Sequence, residues 1–226
     1  MEDKKYILTD EVIEYYSYKL YRVMAIKDFG NIHKGDLGGW VEDESNLSQK
    51  GECWIYDNAK VFDKAKIYGN AKVWGESIVH EKAKVYGNAT LSGAVIVYNN
   101  ARIYGDADVY GVVMIRGNAK VYGKARVCEK AEVYGDAKIY GNAYIYGFAS
   151  ICGDAEIKSN EDYTVYKDNW SKGFYFTWTR SNDKWKVGCF YGTGEELITK
   201  AYEDSEKSGK CYEAIVNVNK LISNID

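Results

Sequence analysis

From residue 53 to residue 158 the chain repeats a six-residue unit without interruption, in forms such as AKIYGN, AKVYGN and AEVYGD. An aliphatic residue occupies the third position of every unit, eighteen times in succession: Ile55, Val61, Ile67, Val73, Val79, Val85, Leu91, Val97, Ile103, Val109, Ile115, Val121, Val127, Val133, Ile139, Ile145, Ile151 and Ile157. The first position is alanine in fourteen units and Cys53, Ser77, Val95 or Val113 in the others. A fixed short period predicts a parallel β-helix, in which consecutive units wind into stacked coils.

The composition of the unit accounts for this shape. Alternate residues of a strand face opposite sides, so the small and the aliphatic residue share the inner face while the residue between them points outward. Glycine stands two positions after the aliphatic residue in twelve units, and it tolerates the left-handed backbone of a tight corner. Three units close one coil, so the eighteen units predict six coils about 4.8 Å apart, a body roughly 29 Å tall.

Three strings carry a resemblance to known families. The pattern V-Y-G-N-A-K resembles the hexapeptide of left-handed β-helix proteins, many of which are trimeric acyltransferases. The string FGNIHKGDLGGWVEDESNLS, followed by CWIYDNAKV, resembles a group of phage and prophage proteins built on such repeats. The tail KVGCFYGTGEELITKAYEDS is similar to the small module that often closes them. The resemblance implies a left-handed coil, so the expected fold is mainly β: a left-handed parallel β-helix with a small β cap and a C-terminal α/β module.

Three domains are expected along the chain. Residues 1–40 form an N-terminal β cap, with strands near Lys5–Thr9 and Lys19–Lys27 that protect an open sheet edge. Residues 41–160 form the hexapeptide-repeat β-helix, which begins with Val41 and Leu47, six residues apart. Residues 161–226 form a C-terminal ββαα module.

The C-terminal module is predicted from its local patterns. Strands are expected at Phe174–Thr179 and Trp185–Tyr191. Thr193 is the expected N-cap of a helix over 194–206, which Gly209 ends. A second helix over 210–223 places its apolar residues on one face: Ile215, Val218, Leu221 and Ile222.

Composition excludes several classes of protein. The formal net charge is −3, so the whole molecule is neither a polyanion nor a polycation. Five scattered cysteines without a CxxC pair argue against a disulfide or zinc framework, and neither a metal site nor a cofactor is expected. The sequence shows no signal peptide and no apolar run of membrane-spanning length. A soluble protein in the cytoplasm of the host cell is therefore expected.

Catalytic chemistry has few candidate residues. An acyltransferase of the hexapeptide class needs a histidine as general base, beside a loop that interrupts the coils. The chain has two histidines, His33 in a turn of the cap and His80 at an outward position of the repeat. Because no insertion interrupts residues 55–158, His80 is expected to be a solvated surface residue, and no catalytic residue is assigned.

When every third repeat unit is taken together, the outward residues of these units form two columns on a single face. Basic residues precede the aliphatic position, and tyrosines follow it: Lys66, Tyr68, Lys84, Tyr86, Arg102, Tyr104, Lys120, Tyr122, Lys138 and Tyr140. One interpretation is that stacked aromatic rings stabilise neighbouring coils and that the lysines keep the surface soluble. The other is a basic and aromatic platform for an anionic ligand, such as a nucleotide or nucleic acid, or for an acidic protein.

A second face carries apolar residues where outward positions are usually polar. Ile78, Ile96 and Met114 occupy equivalent positions on three successive coils. Contiguous exposed apolar residues mark interfaces, so this column predicts self-association, and the resemblance implies a trimer.

The favoured function is a non-catalytic oligomeric binding scaffold of phage or prophage origin. By analogy with the resemblance, it antagonises host defence by binding a host protein or an anionic nucleotide or nucleic acid. Two alternatives stay open: an acyltransferase of the hexapeptide class and a virion structural or assembly protein.

Overall fold

The computed structural model describes residues 4–169 and 173–223. Strands β1 (Tyr6–Tyr15) and β2 (Tyr18–Ala25) form an antiparallel hairpin, and β2 pairs antiparallel with β3 (Leu37–Val41). Strand β3 then pairs in parallel with the first coil above it, Trp40 opposite Lys60 and Val41 opposite Val61. The hairpin therefore continues one of the solenoid sheets instead of forming a separate sheet.

Eighteen short strands follow, one for each repeat unit. They are β4 (Trp54–Ile55), β5 (Lys60–Val61), β6 (Lys66–Ile67), β7 (Lys72–Val73), β8 (Ile78–Val79), β9 (Lys84–Val85), β10 (Thr90–Gly93), β11 (Ile96–Val97), β12 (Arg102–Ile103), β13 (Asp108–Gly111), β14 (Met114–Ile115), β15 (Lys120–Val121), β16 (Arg126–Val127), β17 (Glu132–Val133), β18 (Lys138–Ile139), β19 (Tyr144–Ile145), β20 (Ser150–Ile151) and β21 (Glu156–Ile157).

Three parallel sheets form the sides of the solenoid. Their strand orders are β3-β5-β8-β11-β14-β17-β20, β4-β7-β10-β13-β16-β19 and β6-β9-β12-β15-β18-β21. Each strand pairs with the strand three units away, as Ile96 does with Ile78 and Met114. Val41 pairs in parallel with Val61, and Leu47 forms a parallel bridge to Ile67. The result is a parallel solenoid of about seven coils.

The interior contains the aliphatic and small residues that the repeat predicts. All eighteen aliphatic residues and the fourteen alanines are at most 1% exposed. The four exceptions at the small position, Cys53, Ser77, Val95 and Val113, are buried as well. The predicted fold class is confirmed as mainly β, a parallel β-solenoid with helices at its C-terminal end. The left hand of the coil stays a prediction from the resemblance.

Some corners hold other residues at positive φ, namely Asp57, Asp63, Glu81, Asn99 and Glu129, but the corner at residue 87 favours glycine for two reasons. Gly87 has a φ of +72°, and a Cβ added there would lie 2.9 Å from the backbone nitrogen of Gly105 in the next coil. Both the backbone conformation and the close stacking of coils therefore exclude larger residues. Beside this corner, Asn70 donates to Asn88 at 3.1 Å and Asn88 donates to Asp106 at 2.9 Å, so that side-chain amides link successive coils.

At the N-terminal end of the solenoid, side chains donate hydrogen bonds to backbone carbonyls that have no coil below them. The Lys5 ammonium is 1% exposed and donates to the carbonyls of Gly51 at 3.0 Å and Cys53 at 2.8 Å. Asn46 lies at the end of a 3-10 turn, Glu44–Asn46, and its Nδ2 donates to the carbonyls of residues 63 and 65, both at 3.0 Å. Neither side chain was assigned a role from the sequence.

The C-terminal module consists of a four-stranded antiparallel sheet and two helices. After a 3-10 turn at Asn160–Asp162, its elements are β22 (Tyr163–Lys167), β23 (Tyr175–Thr179), β24 (Lys184–Val187), β25 (Phe190–Gly192), α1 (Gly194–Asp204) and α2 (Glu206–Ser223). Its core is formed by Phe176, Trp178, Trp185, Val187, Leu197 and Val216. Thr193 is confirmed as the N-cap of α1, since its hydroxyl accepts from the amide of Glu196.

One prediction about the helices was wrong. Gly209 does not end α1, which ends at Asp204; instead Gly209 is buried inside α2, where an added Cβ would lie 2.3 Å from the Tyr202 ring. The close crossing of the two helices thus explains this glycine. The expected apolar face of α2 is largely exposed: Leu221 is 69% and Ile222 56% exposed, because the module core ends at Val216.

At the C-terminal end of the solenoid, side-chain acceptors receive exposed backbone N–H groups. Asn160 Oδ1 accepts from the Tyr144 amide at 2.8 Å. Thr177 Oγ1 accepts from the Ser150 amide at 2.9 Å, and Ser181 Oγ accepts from the Glu156 amide at 2.7 Å. Tyr144, Ser150 and Glu156 begin the last strand of each of the three sheets, so every sheet edge receives one acceptor.

Candidate ligand-binding face

The sheet that ends in β21 presents the two columns predicted from the sequence, and we call this surface the Lys–Tyr face. All ten predicted residues lie on it, five basic residues before and five tyrosines after the buried aliphatic positions: Lys66, Tyr68, Lys84, Tyr86, Arg102, Tyr104, Lys120, Tyr122, Lys138 and Tyr140. Two sets of three residues are in register on successive coils, Lys84–Arg102–Lys120 and Val85–Ile103–Val121. The parallel ladder therefore aligns each side chain with its equivalent one coil away.

The five tyrosine rings of the Lys–Tyr face form one continuous stack. Successive ring centroids are 4.7, 4.9, 4.9 and 5.2 Å apart, and the planes differ by 2–7°. These separations are within the range of directly stacked aromatic pairs, about 4.5–7 Å, so the faces of the inner rings are covered by their neighbours. A base of a ligand therefore cannot stack on the faces of the inner rings. What these rings present to a ligand is hydroxyl groups and ring edges.

Four of the five basic residues on the face have no acidic partner in the described part of the chain. Among residues 4–169 and 173–223, no carboxylate lies within 4.0 Å of the basic groups of Lys66, Lys84, Arg102 and Lys120. Lys138 differs, because its Nζ donates to Glu156 at 2.6 Å. The hydrogen bond and charge of Glu156 raise the pKa of Lys138. The positive column available to a ligand therefore runs from Lys66 to Lys120.

The tyrosine hydroxyls are suited to donating hydrogen bonds. Burial in the stack raises the pKa of Tyr68, Tyr104 and Tyr122, and nearby tyrosines raise it further. A phenol with a raised pKa remains protonated at neutral pH and can donate to an anion. The face thus combines a column of cations with a column of neutral donors.

The predicted apolar column is aligned but only partly open. Ile78, Ile96 and Met114 are in register on successive coils, and each is half-buried. Ile78 packs against a buried cluster of Leu20, Trp40 and Phe62, which the N-terminal hairpin helps to form. The hairpin therefore covers Ile78, the first residue of the column. The trimer interface stays a prediction.

Neither histidine has the surroundings of a general base. The side chain of His33 is 80% exposed, and its Nδ1 lies 3.9 Å from Asp36. His80 is not the freely solvated residue that the sequence predicted, because its ring is stacked between Phe62 at 5.1 Å and Tyr98 at 5.2 Å. Burial lowers the pKa of His80. Its role in the structure is to continue an aromatic column.

The described residues contain no group of three or more His, Cys, Asp or Glu side chains that could hold a metal ion. None of the described helices has the length and apolar content that a membrane span requires.

Sequence reasoning missed a cleft between the solenoid and the C-terminal module. Arg116, Lys130, Phe148, Phe174 and Lys186 are among the residues that line it. Phe148 was the available signal, because it stands at a corner position where most units carry Asn, Asp, Lys or Glu.

No protein-family model matches the chain. Over 38 residues the chain is 47% identical to a protein of Escherichia coli (strain K12) named uncharacterized acetyltransferase YdcK. The matched stretch is 17% of this chain, and it spans 12% of the length of that protein. The match is therefore local, and the β-solenoid fold of the chain is shown by its coil geometry.

Proposed function

We propose that the protein is a non-catalytic binding scaffold whose Lys–Tyr face holds an anionic ligand. The observation that carries the proposal is the column of four unpaired cations, Lys66, Lys84, Arg102 and Lys120, beside the tyrosine stack. In the setting that the sequence resemblance suggests, the protein is encoded by a phage or prophage. It antagonises host defence by sequestering a nucleotide or nucleic acid, or by binding an acidic surface of a host protein.

Electrostatics supports this use of the face. The parallel ladder places the four cations about 4.8 Å apart, where like charges repel one another. A ligand with several phosphates or carboxylates relieves this repulsion along the whole column. Because the inner tyrosines expose edges and hydroxyls, recognition depends on the backbone charges of the ligand and not on the identity of a base.

The test is a matched pair of triple variants. Lys84→Glu, Arg102→Glu and Lys120→Glu reverse the column, whereas Lys64→Glu, Lys82→Glu and Lys124→Glu make the same charge change at exposed corners. Fluorescence anisotropy with a labelled single-stranded thymidine oligonucleotide and with polyglutamate measures binding. We expect the first variant to lose binding and the second to retain most of it. If both variants bind equally, the face has no such role.

Salt dependence gives an independent measurement. The four cations would displace counterions from a single-stranded nucleic acid. A plot of the logarithm of the association constant against the logarithm of the salt concentration should therefore have a slope of about −3. A slope near zero would contradict binding through this column.

Self-association is the second element of the proposal. The column of Ile78, Ile96 and Met114 and the trimer habit of the resembled family favour a closed ring. Ile96→Glu would place charges near one another in a partly dehydrated interface, so we expect it to give a monomer. Light scattering of the wild type and the variant measures this, and a wild-type monomer at micromolar concentration would remove the proposal.

Acetyl transfer is the second candidate function, favoured by the local similarity to the named acetyltransferase. The stacked position of His80 and the open turn of His33 do not provide the positioned base that this chemistry needs. Calorimetric titration with acetyl-CoA separates the two functions. We expect no binding, and saturable binding that His33→Asn weakens would favour the enzyme.

A further inference from the structure

The cleft between the solenoid and the C-terminal module differs from the Lys–Tyr face in position and in chemistry. It lies beside the sheet that ends in β20, and its volume is about 410 Å³. This volume is within the range of small-molecule sites, about 300–1,000 Å³. The module contributes Phe174 and Lys186, and the solenoid contributes Arg116, Lys130 and Phe148.

Three cations line this cleft, and none of them has an acidic partner among the described residues. Among the described parts of the chain, no carboxylate lies within 4.0 Å of the charged groups of Arg116, Lys130 and Lys186, although Glu132 also lines the cleft. The Arg116 guanidinium is held over the Tyr134 ring at 4.2 Å, which fixes its position without neutralising its charge. A fixed guanidinium offers paired N–H donors of the kind that bind phosphate.

Arg116 and Lys186 line the same cleft, the first from the solenoid and the second from the C-terminal module. Burial raises the pKa of the Cys152 thiol, and a hydrogen bond with Tyr134 and the positive charges of Lys186 and Arg116 oppose that rise. The junction of the two domains thus places two positive charges in the lining of one cleft, one from the solenoid and one from the module.

Aromatic side chains form the other part of the cleft. Phe148 is 43% and Phe174 39% exposed, which is high for rings of this size. Phe148 is stacked on Tyr175 at 4.2 Å, so its position is set by contact with the module. Exposed rings in a concave site beside cations suit a planar ring that carries negative charge.

We propose that this cleft binds a small ligand that combines a planar ring with phosphate, the chemistry of a mononucleotide. Arg116 and Lys186 hold the phosphate, and Phe148 and Phe174 contact the ring. The site is separate from the Lys–Tyr face and does not depend on it. It joins the solenoid to the module, so a bound ligand also stabilises their contact.

The experiment is calorimetric titration of the full chain with AMP, adenosine and ribose 5-phosphate. AMP carries both the ring and the phosphate, whereas each of the other probes carries only one of them. We expect AMP to bind at least about 10-fold more tightly than either part, because charged hydrogen bonds and ring contacts both contribute. No AMP binding up to millimolar concentration, or equal binding of ribose 5-phosphate, would overturn the proposal.

Variants locate the site. The double variant Arg116→Gln and Lys186→Gln should weaken AMP binding at least about 10-fold. The matched control, Lys64→Gln with Lys82→Gln, should leave it unchanged. An unchanged melting temperature without ligand verifies that both variants are folded. If the double variant is not folded, Arg116→Lys, which keeps the charge, is tested in its place. AMP binding that survives the loss of charge in the cleft, or that the Lys84→Glu, Arg102→Glu and Lys120→Glu variant abolishes, would place the ligand elsewhere and overturn the assignment.

Discussion

At the N-terminal end of the solenoid, Lys5 and Asn46 donate hydrogen bonds to backbone carbonyls, whereas at the C-terminal end Asn160, Thr177 and Ser181 accept them from backbone N–H groups. The donors are fully buried, but Asn160 and Ser181 are exposed. The two ends thus differ in hydrogen-bond polarity and in access to water.

The difference follows from the direction of the parallel ladder. Outward-facing residues donate their N–H toward the C-terminal end, as Trp40 does to Ala59 at 2.9 Å and Lys138 to Ala155 at 2.8 Å. The last coil therefore has N–H groups with no coil above them, and the first coil has carbonyls with no coil below. A cap must supply acceptors at one end and donors at the other, so the two caps could not be exchanged.

The largest expected effect comes from removing residues 161–226. This deletion takes away Thr177 and Ser181 and exposes the last strands of three sheets, and open parallel edges pair with other chains. We expect large head-to-tail assemblies or insoluble protein. Size-exclusion chromatography with light scattering and electron microscopy measure this. A truncated chain with the same oligomeric state and solubility as the full chain would contradict the capping role.

At the other end, Asn46→Ala should be the most damaging point substitution. It leaves two buried carbonyls without their donor, which should lower the free energy of unfolding by about 2–4 kcal/mol. Asn88→Ala is the control, because Asn88 is exposed and water replaces its bonds, at a cost within about 0.5 kcal/mol. Denaturant unfolding measures both variants, and equal values would mean that burial at the N-terminal end does not matter.

Thr177→Val should have an intermediate effect. The substitution keeps the shape of a side chain that is 1% exposed but removes the acceptor of the Ser150 amide, at an expected cost of about 1–2 kcal/mol. Thr177→Ser keeps the hydroxyl and should recover part of this loss. Thermal and denaturant unfolding of the three proteins test the prediction, which fails if Val is as stable as Thr.

Ser181→Ala should have the smallest effect. Ser181 is exposed, so water can accept from the Glu156 amide once the hydroxyl is gone, and we expect a change within about 0.5 kcal/mol. A loss as large as that of Thr177→Val would show that water does not reach this edge.

The body of the fold could be predicted because each unit repeats the same local rule. Alternation assigns Ala119 and Val121 to the inside and Lys120 to the outside, and the three-unit coil aligns Lys120 with Arg102 and Lys138. The residues of the Lys–Tyr face could therefore be predicted from the alternation and from the three-unit coil. The structure adds that the inner tyrosine faces are covered and that Lys138 is paired.

The individual contacts at the two ends and across the cleft could not be predicted, since no period connects their residues. Lys5 is followed by a strand and resembles any exposed lysine in the sequence, yet its ammonium is buried against Cys53. Thr177 and Ser150 are 27 residues apart in the chain and meet only because the module folds onto the last coil. Long-range contacts of this kind depend on tertiary packing, which local patterns do not encode.

The length of one coil also determines how many codons such a gene can gain or lose without disturbing the fold. Equivalent residues in neighbouring coils are 18 positions apart, as with Asn70 and Asn88. An in-frame duplication or deletion of 18 codons would add or remove one whole coil and return every later side chain to its own face. A change of six codons would instead rotate the C-terminal module by one side of the prism and divide the lysine column between two faces. Insertions and deletions of three repeat units, or a multiple of three, are therefore the ones that preserve the arrangement of side chains on each face.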